Sequence, residues 1–78
     1  MKLTYDPKYN IAYIGFREKT EEVTSIKISD ELTIDLSSDG KVYGIELLNA
    51  NEQLQNEPFH NLLLENSSNG KHKEVEWI

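Results

Sequence analysis

The stretch "DLSSDGKVYGIE" (Asp35–Glu46) spaces oxygen-bearing side chains as a calcium loop would. Asp35, Ser37 and Asp39 alternate, Gly40 follows, and Glu46 closes the span, which satisfies the relaxed ligand pattern of an EF-hand. That chemistry needs a helix on each side of the loop. The flanks "ELTI" and "IELL" have the period of strands instead. Asp39-Gly40 is also a favoured pair for a two-residue type I′ hairpin turn. Such a turn sets Leu36 opposite Tyr43, Ile34 opposite Ile45 and Leu32 opposite Leu47, all on one face. The other face then carries Thr33, Asp35, Ser37, Val42, Gly44 and Glu46. A slip of one residue mixes the faces. The stretch is therefore read as a hairpin turning at Asp39 and Gly40, not as a metal site.

The remaining chemistry is sparse. Asp35 and Glu46 form the best carboxylate pair, but acid–base work needs a cleft, and these lie on an open sheet face. His60 and His72 are the only histidines. His60 follows Glu57 by three residues on a candidate helical turn and reads as part of an exposed polar face. His72 lies between Lys71 and Lys73, whose charges oppose a bound cation. There is no cysteine, so no thiolate nucleophile, no disulfide and no thiolate-bound zinc. No serine sits in a nucleophile elbow and no glycine run forms a phosphate loop. The expectation is a protein with no catalytic residues, no cofactor and no metal.

The elements that would position these residues are short. "KLTY" alternates, and "DPKYN" reads as a turn, with Pro7 suited to its second position and Asp6 able to bond the backbone just beyond. "IAYIGFR", "EVTSIKI", "LTIDLS" and "KVYGIELL" follow as β-branched and aromatic strands with tight breaks between them. Connections this short suit an antiparallel sheet. The predicted fold is α+β: an antiparallel meander of about five strands, then a C-terminal helical segment packed on one face. That segment is read over 48–66. Asn49 and Glu52 resemble a capping box, Pro58 breaks the run, and Phe59, Leu62 and Leu63 are spaced to pack on the sheet. "NSSNG" ends it, and "KHKEVEWI" is either an extra edge strand or a mobile tail. Residues 1–66 are thus expected to form one domain and 67–78 a tail.

Two stretches carry a resemblance. "LTYDPKYNIAYIGF" and "LTIDLSSDGKVYGIELLNA" resemble the YuzE-like domain of unknown function, found in small bacterial proteins. The turn of Tyr5-Asp6-Pro7 and the run Gly44–Ala50 are its two motifs, and the likeness covers roughly residues 1–54. It implies a small sheet with a helix and implies no reaction.

Composition bounds the partners. The chain has 78 residues and a net charge of −6, with 14 acidic and 8 basic side chains. The basic ones are scattered, so contact with a nucleic-acid backbone is not expected. No apolar run is long enough to span a membrane, and a cytoplasmic setting is expected. A domain this small gains from burying surface in a partner. Ile11, Tyr13, Val23 and Val42 alternate out of phase with the core set, on the face the helix would leave open, with Gly15 and Gly44 allowing close approach. These four are the expected interface, most simply of a homodimer. The expected function is a non-enzymatic protein-interaction module; antitoxin-like masking of a basic partner is one form of it. The alternative is a small-molecule-binding or catalytic domain whose site a dimer completes.

Overall fold

The computed structural model describes residues 1–18, 22–54 and 61–76. Its elements are β1 (Lys2–Asp6), β2 (Ile11–Gly15), β3 (Thr24–Ser29), β4 (Leu32–Leu36), β5 (Val42–Leu48), α1 (Ala50–Gln53), β6 (Asn61–Glu65) and β7 (His72–Glu76). The first five strands form one antiparallel sheet, as expected. Its order is β1-β2-β5-β4-β3, so one step departs from a pure meander. β3, β4 and β5 follow one another as hairpins, and the chain between β2 and β3 crosses to the far edge. β5 thereby returns to lie beside β2, which is a Greek-key arrangement.

Alternation sorts the two faces cleanly. Leu3 opposes Ile14, Ile14 opposes Ile45, Ile45 opposes Ile34, and Ile34 opposes Ile26. One row along, Tyr5, Ala12, Leu47 and Leu32 align in the same way. This face carries no charge at any of these positions. The opposite face presents Lys2, Thr4, Tyr13, Gly15, Gly44, Glu46, Thr33, Asp35 and Lys27.

The β4–β5 turn differs from the expected two-residue type I′ form. Gly40 N–H donates to the Ser37 carbonyl at 3.0 Å and Ser37 N–H to the Lys41 carbonyl at 2.8 Å, so the loop is Ser38-Asp39-Gly40. Gly40 has φ 83°, while Asp39 is not at positive φ. This is the three-residue hairpin, a turn followed by one left-handed residue. Ser37 decides it: its hydroxyl donates to Asp39 and accepts from Lys41 N–H at 3.2 Å. The extra loop residue sets Leu36 opposite Val42, one place out of step. A bulge at Tyr43 restores step, so Asp35 opposes Gly44 and Ile34 opposes Ile45.

The expected C-terminal helix is corrected. Among the described residues only Ala50–Gln53 is helical. Asn49 sits at φ 52° and makes no side-chain cap, so there is no capping box; its amide instead donates to Glu52 at 2.7 Å. Leu62 and Leu63 lie in β6, which pairs with β7 as a separate two-stranded sheet. The C-terminal strand therefore exists, but it pairs with β6 and not with an edge of the main sheet. Position 66/67 lies in the turn between them. Pro58, Phe59, His60 and Trp77 lie outside the described residues.

The consequence is a thin body, with extents of 34 × 33 × 19 Å. Its radius of gyration is 14.0 Å, against about 11.5 Å for a compact chain of this length. Ala12, Tyr43 and Ala50 are buried, yet among the described residues no large side chain is wholly so.

The turn generates a test. A Cβ at Gly40 would meet nothing within 4 Å, so the cost of replacing it comes from φ alone. Gly40→Ala and Gly40→Val should destabilise by about 1 kcal/mol or more, Gly40→Asn by less, and Lys41→Ala hardly at all. Urea denaturation of the four variants checks the ranking; equal values for Asn and Val would contradict it.

Candidate functional site

The polar face is organised by two glycines. Lys2, Gly15, Gly44, Asp35 and Ser25 lie in one row across five strands. Bare backbone at Gly15 and Gly44 leaves a slot in the middle of that row. Tyr13, one pair further along β2, leans into it. A Cβ added at Gly44 would coincide with the Tyr13 phenol and lie 2.9 Å from the Ile14 carbonyl oxygen. Gly44 is buried as a result.

The phenol ends on a carboxylate. Tyr13 Oη donates to Asp35 Oδ2 at 2.9 Å, and Ser25 Oγ donates to Asp35 Oδ1 at 2.6 Å. Each oxygen of Asp35 therefore accepts one hydroxyl, and the chain of contacts ties β2, β5, β4 and β3. Burial pushes the Tyr13 phenol up to about 12, with the Asp35 hydrogen bond and the charges of Asp35 and Glu46 adding to it. A phenol held there stays protonated near neutrality, so it serves as a donor and clamp and not as a base.

Beside Tyr13 lies a shallow open groove of about 490 Å³, lined by Lys2, Thr4, Tyr13, Gly15, Arg17 and Glu18 among others. It holds charges of both signs. Arg17 lies over the Tyr43 ring, 5.1 Å from its centroid.

A second polar cluster joins the two ends of the sheet sequence. Asn10, at φ 57°, donates through its amide to Asn51 at 2.6 Å and to Asn49 at 3.2 Å. Its side-chain oxygen accepts Asn51 N–H at 2.9 Å and the Tyr5 hydroxyl at 3.2 Å. Its carbonyl accepts Ala50 N–H at 3.0 Å. The β1–β2 turn is thus fastened to the end of β5. Asp6 Oδ1 accepts Lys8 N–H at 2.9 Å, the local bond that shapes that turn after Pro7.

The residues singled out from sequence separate as follows. Ile11 and Tyr13 share the polar face of β2, but Tyr13 is turned inward over the glycines. Val42 pairs with Leu36 beyond the bulge, apart from that pair. Val23 precedes β3 and is half-buried. The space over Gly44 that suggested a partner's approach is filled by the chain's own phenol. The spacing of Asp35 and Asp39 likewise fails to converge. Asp35 is held by Tyr13 and Ser25, whereas Asp39 is held by Ser37 and by Lys41 N–H, which keep its carboxyl below the usual range. Among the described residues no three His, Asp or Glu side chains are grouped as metal ligands, and no helix is long and apolar enough to cross a membrane.

A family model described as "Protein of unknown function (DUF2283)" matches residues 2–51, and the chain belongs to that family. The matched span runs from the first residue of β1 to Asn51, the partner of Asn10, so it takes in both polar clusters. No curated protein and no solved structure matches the chain.

The clamp predicts coupling. Gly44→Ala should destabilise by about 2 kcal/mol or more, since its Cβ has nowhere to go. Tyr13→Ala combined with Gly44→Ala should cost clearly less than the two single changes summed, by about 1 kcal/mol, and simple additivity in urea denaturation would exclude the contact.

The phenol also predicts an alkaline signature. An unfolded tyrosine ionises near 10, whereas folded Tyr13 waits until about 12. Its contribution is therefore fully present below pH 10 and is lost as pH rises through that interval. Stability measured against pH should fall less steeply there for Tyr13→Phe than for the native chain.

Proposed function

We propose that this chain acts by binding another polypeptide through the apolar face of its five-stranded sheet, without catalysing a reaction. The observation that carries the reading is the surface left open. A compact monomer of 9.0 kDa exposes about 4,900 Å². This chain exposes 6065 Å². The excess of roughly 1,200 Å² exceeds the ~800 Å² that one partner contributes to a standard interface. The apolar face also holds a large side chain that a finished core would bury: Ile26, paired with Ile34, is 42% exposed. The contact thus moves from the side of Ile11 and Tyr13 to the side of Ile26, Ile34 and Ile45.

Charge favours the same reading. The paired positions of the face are neutral, and the chain as a whole carries a net charge of −6. A net acidic chain with a neutral apolar face suits a basic partner, which is the form an antitoxin-like masking role would take. A cytoplasmic setting and kinship with YuzE-like proteins belong to the same proposal; the motifs Tyr5-Asp6-Pro7 and Gly44–Ala50 support the kinship. The groove beside Lys2 and Arg17 favours a second reading, a small anionic ligand. Phosphate and a dicarboxylate titrated against the purified chain would move the amide signals of Lys2, Thr4 and Arg17 if that reading holds.

The test compares faces. Ile26 is exposed on edge strand β3, so Ile26→Lys should leave the fold intact. Thr4→Lys changes the opposite face equally. In extracts of the native cell, the tagged chain should elute from gel filtration as a larger complex. Ile26→Lys should release it and Thr4→Lys should not. Release by Thr4→Lys alone, or elution of the native chain as a free monomer, would overturn the proposal.

A further inference from the structure

Two apolar surfaces in one chain are incompletely covered: half-buried in the middle of the sheet and exposed at its β3 edge and on the hairpin. One is the neutral face of the five-stranded sheet. The other is one side of the β6–β7 hairpin, where Leu62 opposes Val75 and Leu64 opposes Lys73. Leu62 is 38% and Leu64 44% exposed. The reverse side is polar apart from Leu63, with Asn61 opposite Glu76, Leu63 opposite Glu74 and Glu65 opposite His72. Asn61 also donates to Glu74 there. The hairpin is thus amphipathic, with an inner side that wants burial. Lys73 does not spoil that side, because its stem can lie on apolar surface while its ammonium reaches the rim.

A two-stranded hairpin is marginally stable by itself and needs a surface to lie on. Among the described residues, β6 and β7 contact each other extensively and no strand of the main sheet to a comparable degree. The hairpin is therefore not paired to an edge of its own sheet, and its leucines stay exposed. A second copy of the chain offers the matching surface, and the match is reciprocal. Each copy has one open sheet face and one amphipathic hairpin, so two copies related by a two-fold axis would cover all four surfaces and leave none to propagate. The area in excess over the whole chain, roughly 1,200 Å², is more than the ~800 Å² each partner gives to a standard interface.

We infer that the chain forms a two-fold homodimer in which the β6–β7 hairpin of each copy lies, by Leu62, Leu64 and Val75, on the apolar sheet face of the other. The inference rests on the proposed binding role of that face and names its occupant. The interface is apolar on both sides, so its strength should rise slightly with salt as the repulsion between the two acidic chains is screened.

The experiment uses the purified full chain. Sedimentation should give a monomer–dimer equilibrium with a dissociation constant between about 1 and 100 μM. Leu64→Lys, in an exposed strand that the main sheet does not need, should weaken it about tenfold or more. Absence of native cysteine allows an orientation test. Mixing Ile26→Cys chains with Leu64→Cys chains under oxidised glutathione should give a cross-linked pair more readily than either variant alone. A chain that stays monomeric at several hundred micromolar overturns the inference. So does a dimer that Leu64→Lys leaves intact, or an intrachain disulfide in a monomeric double variant, which would mean that the hairpin covers its own sheet. Monomeric pure protein that still elutes as a larger complex from extract would sink the dimer alone and leave a foreign partner on the same face.

Discussion

β5 hydrogen-bonds to a strand on each side, and the position of Val42–Leu48 between β2 and β4 decides nearly everything else. A central strand must satisfy two registers at once. The loop Ser38-Asp39-Gly40 would leave β5 one residue out of step with β4 and turn its apolar set to the polar side. The Tyr43 bulge absorbs that residue within a single pair. Ile45 and Leu47 can then join Ile14 and Ala12 on one side and Ile34 and Leu32 on the other. The turn and the bulge are thus one device, and neither makes sense without the other.

Around that strand the two polar clusters do complementary work. Tyr13 and Asp35 hold the sheet together across its width, over the slot that Gly15 and Gly44 open. Asn10, Asn49 and Asn51 hold it at one end. Asn10 and Asn49 are the described non-glycine residues at positive φ, and they are hydrogen-bonded to each other. Asparagine tolerates that region better than other side chains, and the bonds it makes here offset the remaining strain. The stretch matched by the family model contains both clusters and ends on Asn51.

The strands and their faces were legible because period two is a strong signal when one face is apolar. Ile34 against Ile45 and Leu32 against Leu47 follow from a two-residue turn at Asp39-Gly40, and they hold because the bulge cancels the extra loop residue. The sheet order was not legible, because hairpin logic says nothing about where β2 finds its second neighbour. The turn type was obscured by Ser37, whose hydroxyl supports a longer loop than Asp39-Gly40 suggests. The C-terminal region misled for a different reason. Leu62-Leu63-Leu64 is a contiguous run that fits a helix or a strand equally, and the charged "HKEVE" partner gives little strand signal by propensity. The glycines at 15 and 44 read as places where another chain comes close, but at Gly44 the group that comes close is Tyr13 itself. A tyrosine two residues from one glycine on a central strand is a signal that can be sought elsewhere.

These corrections change which face is free. With a long helix, the apolar face would be the core and the Tyr13 face the surface for contact. With a hairpin in its place, the Tyr13 face is finished by its own hydrogen bonds and the apolar face is left open. Hydrophobic burial scales with area removed from water, so a sheet of this size with one bare side gives up much of its own stabilisation. The sequence nevertheless keeps that side free of charge, although it carries 14 acidic residues and placing one there would improve solubility. Keeping a broad exposed face neutral is costly for a chain that works alone. It is consistent with a chain whose native state includes something lying on that face.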